Sequence, residues 1–226
     1  MQRSRDVSSG PVPQPRGGDA WPKELRYLAR QNRVFVISGP AGVGKDEVIK
    51  KLLWAVSGLR KVVTNTTRPP REREEEGVDY HFCSREEFDL LIAEESLLEH
   101  ASYAESYYGT PAEPVRSALA EGLDVVLKIE AQGAMKVRSR LPGAVLVFIA
   151  PESLVELRRR ISARATEDAD SIARRLDRAS DELCLAGLYD YVVVNRRDRI
   201  DEAVAQVAAI VEAERLRASP HPVVLG

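Results

Sequence analysis

Cysteine is nearly missing from this 226-residue chain: Cys83 and Cys184 stand far apart and form no C-x-x-C pair. Neither a disulfide framework nor a cysteine metal site is expected, and free thiols in a reducing compartment are the simplest reading. Histidine is as scarce. His81, His100 and His221 have no partners at catalytic spacing and read as surface or packing residues. No stretch approaches the ~20 apolar residues that a membrane-spanning helix needs. Nor is there an excess of one charge: 33 basic and 35 acidic residues leave a net charge of -2, with the signs interspersed. No global field draws the chain to nucleic acid or to an anionic membrane, so any anion it binds is held locally. The opening stretch, with SSGPVPQPRGGDAWP, lacks the apolar core of a signal peptide. A cytoplasmic protein with no nucleic-acid or membrane partner is expected.

What is present suffices for one well-packed α/β unit, with 44% hydrophobic and 30% charged residues. Residues 1–32, rich in Pro, Gly and Ser without apolar periodicity, read as a flexible arm, and 218–226 as a tail. Between them, VFVIS (34–38), KVVTN (61–65), VVLKIE (125–130), AVLVFIA (144–150) and YVVVN (191–195) are short Val- and Ile-rich runs that read as buried strands. Helical patterns separate them. Val48, Ile49, Leu52, Leu53 and Val56 recur on one helical face, and a last helix near 199–217 carries Val204, Val207 and Val211. Strands alternating with helices predict a parallel sheet covered on both sides.

Two stretches break that rhythm. From Thr64 to Pro114 the pattern suggests a small lobe of short strands with one helix. Further on, a helix with Leu154, Leu157 and Ile161 and another with Ile172, Leu176, Ala179 and Leu183 are joined by the polar link RATEDADS, a hairpin suited to a mobile lid. The expected division is a domain over 33–217, with a core of 33–63, 115–152 and 177–217, a lobe at 64–114 and a lid at 153–176.

Gly39-Pro40-Ala41-Gly42-Val43-Gly44-Lys45 matches G-x-x-x-x-G-K, the phosphate-binding loop. In it, backbone N–H groups and a helix N-terminus face the phosphates, and glycines keep side chains out of the way. The context is right, since a buried strand ends at Ser38 and an amphipathic helix begins at Lys45. One position departs from the motif. The residue after the lysine, usually a Ser or Thr that ligates Mg²⁺, is Asp46. A carboxylate can ligate or water-bridge Mg²⁺, but without the metal it repels phosphate.

The string Thr64-Asn-Thr-Thr-Arg68-Pro-Pro-Arg71, then Gly77-Val-Asp79-Tyr80, Glu99 and Tyr107-Tyr108-Gly109-Thr110 resemble the guanylate kinase family in order and spacing, and Arg33 to Arg217 can be aligned with it. The resemblance implies a P-loop NTPase-type parallel sheet flanked by helices, with an inserted mixed α/β GMP-binding lobe and a helical lid. It implies ATP and GMP as substrates, with dGMP a further acceptor to be tried, and Mg²⁺ as cofactor. Arg68, Arg71, Tyr80 and Tyr108 then hold the GMP phosphate, a task suited to two forked guanidinium groups and two hydroxyls. Glu99 takes the guanine N1–H and 2-amino group, which adenine cannot offer, while Thr64 and Thr110 stand where hydroxyl residues bond the base.

By the same resemblance, Arg160, Arg164 and Arg175 reach the ATP phosphates when the lid closes, and Asn195 contacts the adenine. Arg158, Arg159, Arg174 and Arg178 read as solvent-facing. Where many relatives have Asp-Ile-Asp at a strand end, this chain has Lys128-Ile-Glu130. Two readings stand there: an ion pair between Lys128 and Glu130, or contact of Glu130 with GMP. Arg73 also replaces a glycine common in the family's Arg-x-Gly-Glu turn. Two other functions remain on the table, a kinase of another nucleotide or sugar phosphate and a non-catalytic binding module.

Overall fold

The first apolar run forms strand β1 (Val34–Ser38), and all five of its residues are buried, as expected of a strand covered on both faces. In the computed structural model, which describes residues 32–72, 74–103, 105–163 and 169–217, the chain continues through α1 (Lys45–Ala55), β2 (Leu59–Val62), β3 (Thr64–Thr66), β4 (Tyr80–Phe82) and α2 (Arg85–Ala93). Next come β5 (Leu97–Tyr103), β6 (Ser106–Pro111), α3 (Ala112–Ala120), β7 (Asp124–Lys128), α4 (Ala131–Arg140) and β8 (Val145–Pro151). The last elements are α5 (Leu154–Ala163), α6 (Ala169–Cys184), β9 (Tyr191–Asn195) and α7 (Ile200–Arg215). The expected arm, apart from Asn32, and the expected tail lie outside the described residues.

Five strands form one parallel sheet in the order β2-β7-β1-β8-β9. Alternation along β1 supplies both layers of the core. Val34 and Val36 join Leu127, Leu146 and Phe148 on the face packed by α3 and α4, while Phe35 and Ile37 join Val126, Val147 and Ile149 on the other. On that second face lie Val48, Ile49 and Leu52 of α1 with Val204, Val207 and Val211 of α7. Because the chain turns to one side of β1 for β2 and β7 and to the other for β8 and β9, a crevice opens at the carboxyl ends of the strands, where open α/β sheets bind ligands.

A second sheet, β4-β3-β6-β5, is mixed: β3 and β4 run parallel, while β6 is antiparallel to β3 and β5. The run 61–65 is therefore not one strand. It divides at Val63, with Lys61 and Val62 in the central sheet and Thr64 and Asn65 in the smaller one. Helix α2 starts on a full capping box, in which Ser84 accepts from the Glu87 backbone and the Glu87 side chain accepts from the Ser84 backbone. In α5, Leu157 and Ile161 are buried against Ala179 of α6, whereas Leu154 is 48% exposed. Helix α6 runs unbroken across residue 176. Among the described residues no helix is long and apolar enough to cross a membrane.

Candidate active site

The loop between β1 and α1 takes the backbone path that its glycines allow. Gly39, Gly42 and Gly44 have φ of +135°, +84° and +99°, where a side chain is strained. At Gly39 a Cβ would also run into the Ile149 carbonyl oxygen, and at Gly44 it would stand 2.7 Å from Asn195 Nδ2. Lys45, the first residue of α1, is buried, donates to the Gly39 and Pro40 carbonyls and lies 3.5 Å from Glu130 Oε2. The lysine is thus folded over the loop, beside the N-terminus of a helix whose dipole favours anions.

Two residues from distant parts of the chain are tied to this loop. Asn195, at the end of β9 and 4% exposed, donates from Nδ2 to the Val43 carbonyl at 2.8 Å. Arg160 of α5 donates to the carbonyls of Val43 (3.2 Å) and Asn195 (3.1 Å), and to Glu156 Oε1 (2.8 Å). Hydrogen bonds from Arg159 and Arg160 push the Glu156 carboxyl down to about 2. Asn195 thus faces the loop backbone. Arg175 is half-buried on α6, and Arg158, Arg159, Arg174 and Arg178 are exposed; Arg164 lies outside the described residues.

Across the crevice, Thr64, Tyr80, Glu99, Tyr108, Lys128, Glu130 and Gly133 line one small cleft. Thr110 supports it from beneath. Glu99 is 3% exposed and its Oε1 accepts from the Thr110 hydroxyl at 2.8 Å. Burial outweighs that hydrogen bond and pushes the Glu99 carboxyl above its usual range. At the cleft mouth the Tyr80 and Tyr108 rings meet edge to face, 6.0 Å apart, and Arg68 stands 5.5 Å from the Tyr80 ring. Arg68 is clamped by Glu74, with Nη2 at 2.9 and 2.8 Å from its two oxygens. Arg71 is 62% exposed and 3.9 Å from the same carboxylate.

Lys128 does not pair with Glu130. Strand β7 ends at Lys128, and Glu130 lies beyond it as the N-cap of α4, so strand alternation does not govern the two. Lys128 Nζ instead lies 2.6 Å from Asp46 Oδ1, and the ammonium groups of Lys128, Lys45 and Lys61 together hold the Asp46 carboxyl below its usual range against partial desolvation. Glu130 has Lys45 as its neighbour, and its buried Oε2 has no hydrogen-bond partner. No group of three His, Cys, Asp or Glu that could hold a metal occurs among the described residues. Mg²⁺ takes few protein ligands beside nucleotide phosphates, so one carboxylate beside the loop, that of Asp46, fits an ion carried mainly by a nucleotide.

Three residues of the site escape sequence reasoning. Gly133 leaves room for Glu99, since a Cβ there would stand 2.6 Å from Glu99 Oε2 and collide with Ile129 Cγ2. Its only trace in the sequence is a glycine inside a helical pattern. Glu74 is one of four acids in REREEE, and nothing in their order singles it out. Glu156 shows itself by lying three and four residues before Arg159 and Arg160, the helical spacing of ion pairs.

A sequence profile of the guanylate kinase family matches residues 31–214. The chain is 44% identical over 191 residues to the guanylate kinase of Latilactobacillus sakei, covering 84% of this chain and 93% of that one. It is 46% identical over 184 residues to the guanylate kinase of Halalkalibacterium halodurans, covering 81% and 89%. The crystal structure of guanylate kinase from Anaplasma phagocytophilum superposes with a TM-score of 0.70 at 33% identity, covering 84% of this chain and 89% of that one.

Proposed function

Given that this chain belongs to the guanylate kinase family and moves the γ-phosphoryl group of ATP onto GMP, giving ADP and GDP, we propose how its residues divide the work. Residues 39–46 and Lys45 hold the ATP phosphates, and Asn195 with Arg160 fixes the shape of that loop. The lobe 64–114 takes GMP. Arg68, Arg71, Tyr80 and Tyr108 bind its phosphate, while Glu99, Thr64, Thr110 and Glu130 face the nucleoside. The segment 153–176 serves as the lid, bringing Arg160, Arg164 and Arg175 around the transferring group.

The observation that carries the acceptor assignment is Glu99. A carboxylate buried in a cleft, with one oxygen held by Thr110 and the other beside Gly133, is a poor surface residue and a good partner for two N–H donors on one edge. Guanine has that edge; adenine and sugar phosphates do not. The intact loop, with Lys45 folded onto it, supports catalysis rather than a binding module.

No protein nucleophile is needed, because phosphoryl transfer calls for alignment and charge stabilisation. Lys45 releases Gly39 and Glu130 to reach the donor phosphates. Arg68, turned by Glu74, and Arg71 set the acceptor oxygen in line, and lid closure expels water that would otherwise take the phosphoryl group. Asp46 is the residue that would hold Mg²⁺, which when bound neutralises charge on the ATP phosphates. The protein acts in the cytoplasm in this reading.

A coupled assay of ADP release across GMP, dGMP, AMP, CMP, UMP and dTMP, with and without Mg²⁺, tests the assignment. GMP is expected to exceed AMP by roughly 10⁴-fold in kcat/KM. Equal activity on the two would overturn it.

A further inference from the structure

The junction between the donor loop and the acceptor cleft is occupied by a lysine. Lys128 ends β7 level with Ile37, two residues before Gly39, and its side chain is 8% exposed. Its ammonium lies 4.4 Å from the centre of the Tyr80 ring and 2.6 Å from Asp46, so it touches the acceptor cleft on one side and the residue after Lys45 on the other. The charged groups around it are Lys45 and Asp46 at the start of α1, Lys61 on β2, and Glu130 before α4. Asp46 therefore sits among three ammonium groups, with its own side chain 68% exposed. An exposed carboxylate gains little from a single ion pair. It gains more from a cluster of several cations such as this one.

We propose that Lys128 is a phosphate-binding residue of the acceptor site, for which the Asp46 carboxylate stands in until GMP arrives. The inference rests on the acceptor assignment above. Where an acid at this position would repel the GMP phosphate, the ammonium attracts it, next to the Tyr80 side chain that faces the same group. When substrates bind, Lys128 exchanges the Asp46 oxygen for a phosphate oxygen, and Asp46 is released beside the ATP phosphates. The largely buried ammonium keeps an anionic partner throughout, and the carboxylate it gives up is the exposed member of the pair.

Calorimetric titration of the full chain with GMP and with guanosine, without ATP or metal, tests this. Lys128→Met is expected to weaken GMP about tenfold, as loss of one charge-assisted hydrogen bond does, and to leave guanosine unchanged. Lys128→Arg is expected to stay within about threefold of the parent. Asp46→Asn is expected to tighten GMP several-fold, and to have no such effect when combined with Lys128→Met. Melting curves of each variant establish that the fold is kept. The proposal is overturned if Lys128→Met binds GMP as the parent does, if it loses GMP and guanosine alike, or if Asp46→Asn acts equally in both backgrounds. A parent chain that binds GMP while Lys128→Met changes nothing removes Lys128 alone. A parent that binds no GMP removes the acceptor assignment and this proposal together.

Discussion

Glu99 is held almost out of water with a hydroxyl as its partner, and its raised proton affinity has a functional sign. Guanine N–H donors favour the charged carboxylate, so GMP binding draws the proton affinity back down. As pH falls through the raised value, the free site protonates and KM for GMP climbs. A pH profile of KM checks this, and Glu99→Gln is expected to flatten it while lowering kcat/KM for GMP on the order of a hundredfold. Gly133→Ala places a methyl group against Glu99 Oε2 and Ile129. It is expected to cost about 1–3 kcal/mol of stability, as overpacking does, and to raise KM for GMP while leaving KM for ATP alone; denaturant melts and steady-state kinetics read both. At this scale sequence reasoning singles out Lys45, Arg68 and Glu99, because the proposed chemistry needs their particular groups. It does not single out Gly133, because its requirement comes from a strand distant in the chain and visible only once β5 lies on α4.

Among the elements, α5 carries its own electrostatic knot. Glu156 is shared by Arg159 and Arg160, and the latter bonds two carbonyls of the phosphate loop and β9. Since the folded-state pKa of Glu156 lies near 2 against an ordinary 4.5, its contribution is present above about 4.5 and is lost as pH falls from there to about 2. The melting temperature of the parent should therefore drop more steeply across that window than that of Glu156→Gln. Gly39→Ala is expected to abolish ATP binding in a fluorescence titration, because the new side chain meets backbone in a conformation it disfavours. The continuous apolar runs marked four of the five central strands to within two residues. The fifth, β2, was read together with β3, because Lys-Val-Val-Thr-Asn shows no break in residue type where the hydrogen-bonding partners change. Leu154 misled in the same way, since helical spacing places it on a face that the end of the helix does not bury.

For the molecule as a whole, the face opposite the crevice is fastened by buried charge. Asp124, fully buried at the start of β7, accepts from the Arg33 backbone and from Arg215 of α7, each at 2.7 Å. Arg33 in turn donates to the Glu214 carbonyl, and Tyr191 to the Glu214 side chain. Arg215 keeps Glu212 and the Ser57 carbonyl when the Asp124 charge is removed, so Asp124→Asn is expected to cost about 1–3 kcal/mol in a denaturant melt, as loss of a buried charge-assisted hydrogen bond does, with both KM values unchanged. None of this was legible in the sequence, where the partners lie far apart in an evenly mixed set of charges. The connections tell a different story about the smaller sheet. It leaves the core after Val62 and returns at Pro111, with one residue, Val63, between β2 and β3 and none between β6 and α3. Most of the residues proposed to hold the acceptor thus belong to a single insert joined to the core at two close points. An insert attached at two such points can change its residues, and with them the proposed acceptor contacts, without altering the strand order of the central sheet that carries the 39–45 loop.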